Sequence, residues 1–157
     1  MVDDRTGKLA ALRNLPHDLR EVVNGLQGMQ LDTPYRTGGW TVRQVVHHLA
    51  DSHMHAYLRM KFIVTEDHPV IKPYDQDCWA ALTDAARAPL EPSLLILDGL
   101  HERWAHFLES LPDAAWTRSA LHPERGEVTL ESMLRTYAGH GDKHVEHIRG
   151  LRTARGW

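Results

Sequence analysis

Apolar residues recur every three to four positions along four long stretches of the chain, the spacing of a helix with one buried face. In the first stretch, Asp3 to about Gln27, that face is carried by Leu9, Leu12, Leu15, Leu19, Val22, Val23 and Leu26. Pro16 interrupts it. Proline suits the first turn of a helix and not its interior, so the stretch reads as one or two helices ending near Gly28. Asp-Thr-Pro and Gly-Gly between Leu31 and Gly39 mark a loop.

The second stretch has a sharp start. Thr41 is a good N-cap and Gln44 completes a capping box, with Trp40 before the cap and Val45 after it placed to form a hydrophobic staple. The predicted helix runs to about Thr65, with Val42, Val45, Val46, Leu49, Ala56, Met60 and Ile63 inward. Glu66 to Asp75, with two prolines, reads as a loop, and Gln76 to Leu82 as one or two helical turns. A third helix from about Pro92 to Leu111 is carried by Leu94, Leu95, Leu97, Leu100, Trp104, Phe107 and Leu108. After a short turn from Pro112 to Trp116, the segment His122 to Val128 is the one place where a hairpin is expected. Thr129 then caps the last helix, whose buried stripe holds Leu130, Met133, Leu134, Tyr137, His144, Ile148 and Leu151. Four amphipathic helices with almost no alternating pattern predict an all-α, up-and-down four-helix bundle with long inter-helix loops, a single domain spanning residues 1–157.

Composition narrows the function classes. A formal net charge of −3, with Lys and Arg spread along the chain, argues against nucleic acid as a partner. No apolar run approaches the roughly 18 residues of a membrane span, and the N-terminus lacks the layout of a signal peptide. The lone Cys78 excludes an internal disulfide framework and a cysteine-based zinc site, which fits a reducing cytoplasm. Twelve histidines are the compositional outlier.

Two of them, His140 and His144, are four residues apart on the last helix, roughly 40° from each other around its axis. Imidazoles so placed can share one divalent ion. His144 lies on the apolar stripe and His140 at its edge, so both face the bundle interior or a pocket. On the second helix His48 sits beside the Val45/Leu49 stripe and is the best-placed third ligand. Three neutral imidazoles leave a coordination position open for water or a thiol. His47 is the rival of His48, but by helix angle it falls on the opposite flank, where a surface or supporting role is expected. His53 falls near the centre of the apolar face and reads as a satisfied core histidine rather than a ligand, with an orienting hydrogen bond to a ligand, from it or from Asp51, as the hypothesis. His147 reads first as partly buried, with a fourth ligand or a proton shuttle as the alternatives; His101 and His106 on the third helix can face the site, but nothing in the spacing singles them out. A non-catalytic bundle, whose histidines bind metal structurally or not at all, is the plain alternative.

The run Gly39-Trp40-Thr41-Val42-Arg43-Gln44-Val45-Val46-His47-His48-Leu49-Ala50-Asp51-Ser52-His53 resembles the second helix of the YfiT branch of the DinB-like superfamily. Ile71-Lys72-Pro73-Tyr74-Asp75 with Trp79-Ala80, Leu100 to Trp104, and Tyr137 to Ile148 extend the resemblance over about Leu31 to Arg152. It implies an up-and-down four-helix bundle, usually a homodimer, holding one nickel- or zinc-type ion per subunit through His48, His140 and His144. Members of that branch are provisionally described as metal-dependent hydrolases. Superfamily relatives transfer or isomerise with low-molecular-weight thiols such as bacillithiol, mycothiol or glutathione. The resemblance thus implies a small-molecule substrate and favours thiol transfer to an electrophile, with hydrolysis as the alternative. The N-terminal segment is short for the branch.

Overall fold

A computed structural model describes residues 2–157, with side chains from residue 4 onward. Four long helices form the bundle: α1 (Val2–Val23), α2 (Val42–Thr65), α5 (Glu91–Glu109) and α6 (Leu130–Arg155). Two short helices, α3 (Gln76–Ala80) and α4 (Thr83–Ala86), lie against α2 within the link between α2 and α5. Strands β1 (Ser119–His122) and β2 (Gly126–Thr129) form the expected antiparallel hairpin, pairing Ser119 with Thr129 and His122 with Gly126. Gly126 takes φ +75° at its turn, a conformation that glycine adopts without a Cβ penalty.

The bundle is not wired in simple sequence order. α1 packs on α5 and α6, and α2 packs on the same two helices, so α1 and α2 lie diagonally, as do α5 and α6. The links 24–41 and 110–129 are the ones that cross the diagonals.

Local signals explain the helix bounds. At α2, the Thr41 hydroxyl accepts from the Gln44 amide (3.1 Å) while the Gln44 side chain accepts from the Thr41 amide (3.0 Å). Thr129 and Ser132 repeat this reciprocal arrangement at α6. The first stretch is one helix, not two: α1 runs through Pro16 to Val23.

The interior has two apolar clusters. One joins Leu15, Leu19, Val45, Val46, Leu49, Leu97 and Ile148; the other joins Leu12, Met60, Ile63, Trp104, Leu108, Leu130 and Leu134. Between them runs a layer of imidazoles from α2, α5 and α6. No helix among the described residues is long and apolar enough to cross a membrane.

Candidate metal centre

Periodicity aims His48 of α2 and His140 and His144 of α6 at one point, and the structure brings them there. One ring nitrogen from each lies within 4.8 Å of the others. The Nε2 atom of His140 is 3.3 Å from Nε2 of His48 and 3.2 Å from Nε2 of His144. Two nitrogens bound tetrahedrally at 2.0–2.1 Å from one ion stand about 3.3–3.4 Å apart, so the observed separations match the edges of such a site. The donor set fits a divalent ion chemically as well. Burial pushes the His48 imidazole down to about 3, with His144 adding to the shift, and pushes His140 and His144 down to about 4 and about 3. At neutral pH all three are uncharged and carry a lone pair, as ligation requires. His144 turns its Nε2 toward His140, and its Nδ1 is buried with no hydrogen-bond partner among the described residues.

The cluster floors a cavity of about 340 Å³. Trp40 covers it, its ring 4.5 Å from His48 and 6.4 Å from His144, centroid to centroid. The Trp40 indole donates to Asp77 of α3 (3.1 Å), and the Gln44 side chain donates to the Ala80 carbonyl (2.8 Å). These bonds fasten α3 to the start of α2, beside the cavity mouth. Tyr35 stacks on His147 at 4.4 Å with 4° between ring planes and forms another wall. The exposed cations Arg36 and Lys143 complete the lining on the solvent side.

His47 stays out of the cluster. It is buried rather than on the surface, with Nδ1 2.7 Å from the Ser93 hydroxyl and Nε2 3.2 Å from the Ala88 carbonyl. The flank of α2 opposite His48 is covered by the entry to α5, which is why helix angle alone misplaces this residue. Both of its nitrogens are committed to that contact. His53 and Asp51 separate in the same way: His53 is the one that touches a ligand candidate, with Nε2 3.1 Å from Nδ1 of His140. His147 is half-buried and lines the cavity without joining the three-histidine cluster.

Of the two third-helix histidines that spacing does not single out, His101 is the one that faces the imidazole layer. It is buried on α5, with Nε2 2.8 Å from Nδ1 of His53 and Nδ1 2.5 Å from the Leu12 carbonyl of α1. A signal existed, because Leu94, Leu97, His101, Trp104 and Leu108 share one helical face. Tyr35 and Arg36 gave none, since they sit in a loop without periodicity. A second cluster, His17, Asp18 and Glu21, lies on the outside of α1, and such solvated groups are common without an ion.

The family model of the DinB superfamily matches residues 11–148. The chain belongs to the DinB superfamily. Within it, a protein of Geobacillus kaustophilus, provisionally named a metal-dependent hydrolase, is 52% identical over 151 residues, covering 95% of this chain and 84% of the relative. A Bacillus mycoides protein with the same provisional name is 47% identical over 146 residues, covering 93% and 84%. The solved structure of YfiT from Bacillus subtilis is described as a probable metal-dependent hydrolase with an unusual four-helix bundle topology. It superposes with a TM-score of 0.98 at 42% identity, over 100% of this chain and 90% of that one. The diagonal placement of successive helices in this DinB-superfamily bundle accords with that description.

Proposed function

We propose that this protein is a cytoplasmic metal-dependent hydrolase in which His48, His140 and His144 hold one zinc or nickel ion per subunit. The observation that carries the reading is the convergence of three neutral Nε2 atoms, 3.2 and 3.3 Å apart, on the floor of a cavity large enough for a small molecule. An ion bound there supplies Lewis acidity and acidifies a coordinated water or thiol toward neutrality. The rest is the work of the chain. His48 from α2 and the α6 pair fix the donor geometry from two rigid helices. Trp40 shields the imidazoles from bulk water, which strengthens electrostatic interactions beneath it. Arg36 and Lys143 favour a substrate carrying negative charge near the mouth.

That cationic rim also supports a second reading, transfer of an anionic low-molecular-weight thiol, of the bacillithiol type, to an electrophile. The site is common to both, and the acceptor differs. Untagged protein assayed for metal content, then for turnover of small esters and amides with and without added thiols, separates them. The hydrolase reading expects product release without thiol, abolished by chelation and in His144→Ala. Turnover that requires a thiol moves the assignment to a transferase, and wild-type protein with no near-stoichiometric metal removes both. The homodimer expected from the resemblance is tested by light scattering on the same preparation.

A further inference from the structure

The buried imidazoles outside the cluster form a continuous chain that ends on it. From the Leu12 carbonyl the links run to His101 Nδ1 (2.5 Å), from His101 Nε2 to His53 Nδ1 (2.8 Å), and from His53 Nε2 to His140 Nδ1 (3.1 Å). The far nitrogen of His140 then faces His48 and His144. His101 and His53 are 1% and 0% exposed; Trp104 packs edge-on against both and Tyr137 edge-on against His53.

The polarity of this chain follows from its origin. A carbonyl oxygen only accepts, so His101 Nδ1 carries a hydrogen. Both rings are fully buried with no carboxylate hydrogen-bonded to either, so each is a neutral imidazole with a single N–H. His101 Nε2 is therefore bare and accepts from His53 Nδ1–H. His53 Nε2 is bare in turn and accepts from His140 Nδ1–H. The opposite direction would set two lone pairs against each other at the 2.8 Å contact between His101 and His53.

Pro16 explains why the Leu12 carbonyl is free for this. In an α-helix that carbonyl accepts from the amide of residue 16, four positions on. Proline has no amide hydrogen, so the break in the α1 ladder falls on the one carbonyl that His101 reaches.

We propose that His101 and His53 are positioning residues: with the Leu12 carbonyl freed by Pro16, they lock His140 in its Nδ1–H tautomer and direct its Nε2 lone pair at the point shared with His48 and His144. This extends the metal reading above by assigning a function to two histidines outside the ligand set. Outer hydrogen bonds of this kind orient ligand rings, and their loss typically costs about 10–100-fold in metal affinity.

The decisive measurement is the tautomer of each ring in protein labelled with ¹⁵N-histidine, read from long-range ¹H–¹⁵N correlations at pH 7.5 in metal-free and zinc-loaded samples. His101, His53 and His140 should all be Nδ1–H in both. An Nε2–H tautomer or a doubly protonated ring at any of the three overturns the proposal. Zinc affinity, by competition with a chromophoric chelator, gives the second readout. His101→Leu should weaken zinc binding by about 10-fold or more, whereas His101→Gln should stay within about threefold, because its amide oxygen can accept from His53. A folded His101→Leu with wild-type affinity also overturns the proposal. If that variant does not fold, the wild-type tautomers still decide the matter. Wild-type protein that binds no zinc would remove the metal reading, and the metal-free spectra would still test the chain.

Discussion

Metal-free protein should lose stability steeply between pH 7 and pH 5, and the structure sets the scale. Burial lowers His48 and His144 to about 3 and His101 and His140 to about 4, from 6.5 for an exposed imidazole. Between those values the unfolded chain binds protons that the folded chain refuses. Stability from this source is therefore fully present above pH 6.5 and drains away as pH falls toward 3–4. At pH 5 an unfolded histidine is about 97% protonated, and each imidazole kept neutral by the fold contributes a loss of about 2 kcal/mol relative to pH 7. If the cluster titrates as one unit the loss is about 2 kcal/mol, and if four rings act independently it approaches about 8 kcal/mol, against a typical total of about 5–15 kcal/mol. Asp51 and Asp142, whose pKa values burial raises, act in the opposite sense, but only nearer the carboxylate range.

For a chain of this length about 1 kcal/mol corresponds to about 2–4 °C in Tm. Thermal melts of chelator-treated protein should thus fall by at least about 4 °C between pH 7 and pH 5, and by far more if the rings titrate independently. His101→Gln should shallow the slope by removing one of the four rings. A Tm at pH 5 within about 2 °C of that at pH 7 would mean that the histidines are already protonated in the fold, which would refute the neutral-donor argument for the site.

Other substitutions test the geometry. His48→Ala should raise the zinc dissociation constant by at least about 100-fold, since even outer partners of a ligand are worth about 10–100-fold. His47→Ala should bind zinc within about threefold of wild type while losing about 1–3 kcal/mol of stability from its Ser93 and Ala88 contacts; the reverse pattern on a zinc titration would exchange the two residues. A Cβ at Gly141 would come within 2.5–3.0 Å of Leu15 side-chain atoms in the core, so Gly141→Ala should destabilise by about 1 kcal/mol in denaturant melts, overpacking outweighing helix propensity. Gly139, with nothing within 4 Å of its Cβ position, should gain up to about 1 kcal/mol on the same substitution, and a stabilised Gly141→Ala would contradict the close α1–α6 packing. Thr41→Ala, which removes one half of the capping box, should cost about 1 kcal/mol.

Some of this was written plainly in the chain. Thr41 with Gln44 and Thr129 mark helix starts because a cap is a local event, complete within four residues. His140 and His144 could be paired from sequence because an i,i+4 relation is set by the helix alone. His48 needed one further inference, from its place beside the Val45/Leu49 stripe. His47 shows where that inference ends: periodicity says which side of α2 a residue occupies, but whether that side meets water depends on the entry to α5.

Pro16 and His101 show the limit most sharply, because sequence leaves each of them open for the same physical reason. Judged locally, proline inside an apolar stripe breaks a helix, since it leaves a carbonyl four residues back without a donor. Judged locally, a histidine among Leu97 and Trp104 is a polar residue in a core, owing hydrogen bonds to something. Each deficit supplies what the other lacks. The Leu12 carbonyl that Pro16 strands is the acceptor for the His101 N–H, so α1 continues to Val23 and His101 can be buried at 1% exposure. Neither residue names its partner, because 89 positions separate Leu12 from His101 and no period connects them. An apparent fault in one helix and an apparent misfit in another are together one hydrogen bond. That bond continues through His53 to His140, so the same long-range pairing that hid it from sequence ties the first helix to the histidine cluster.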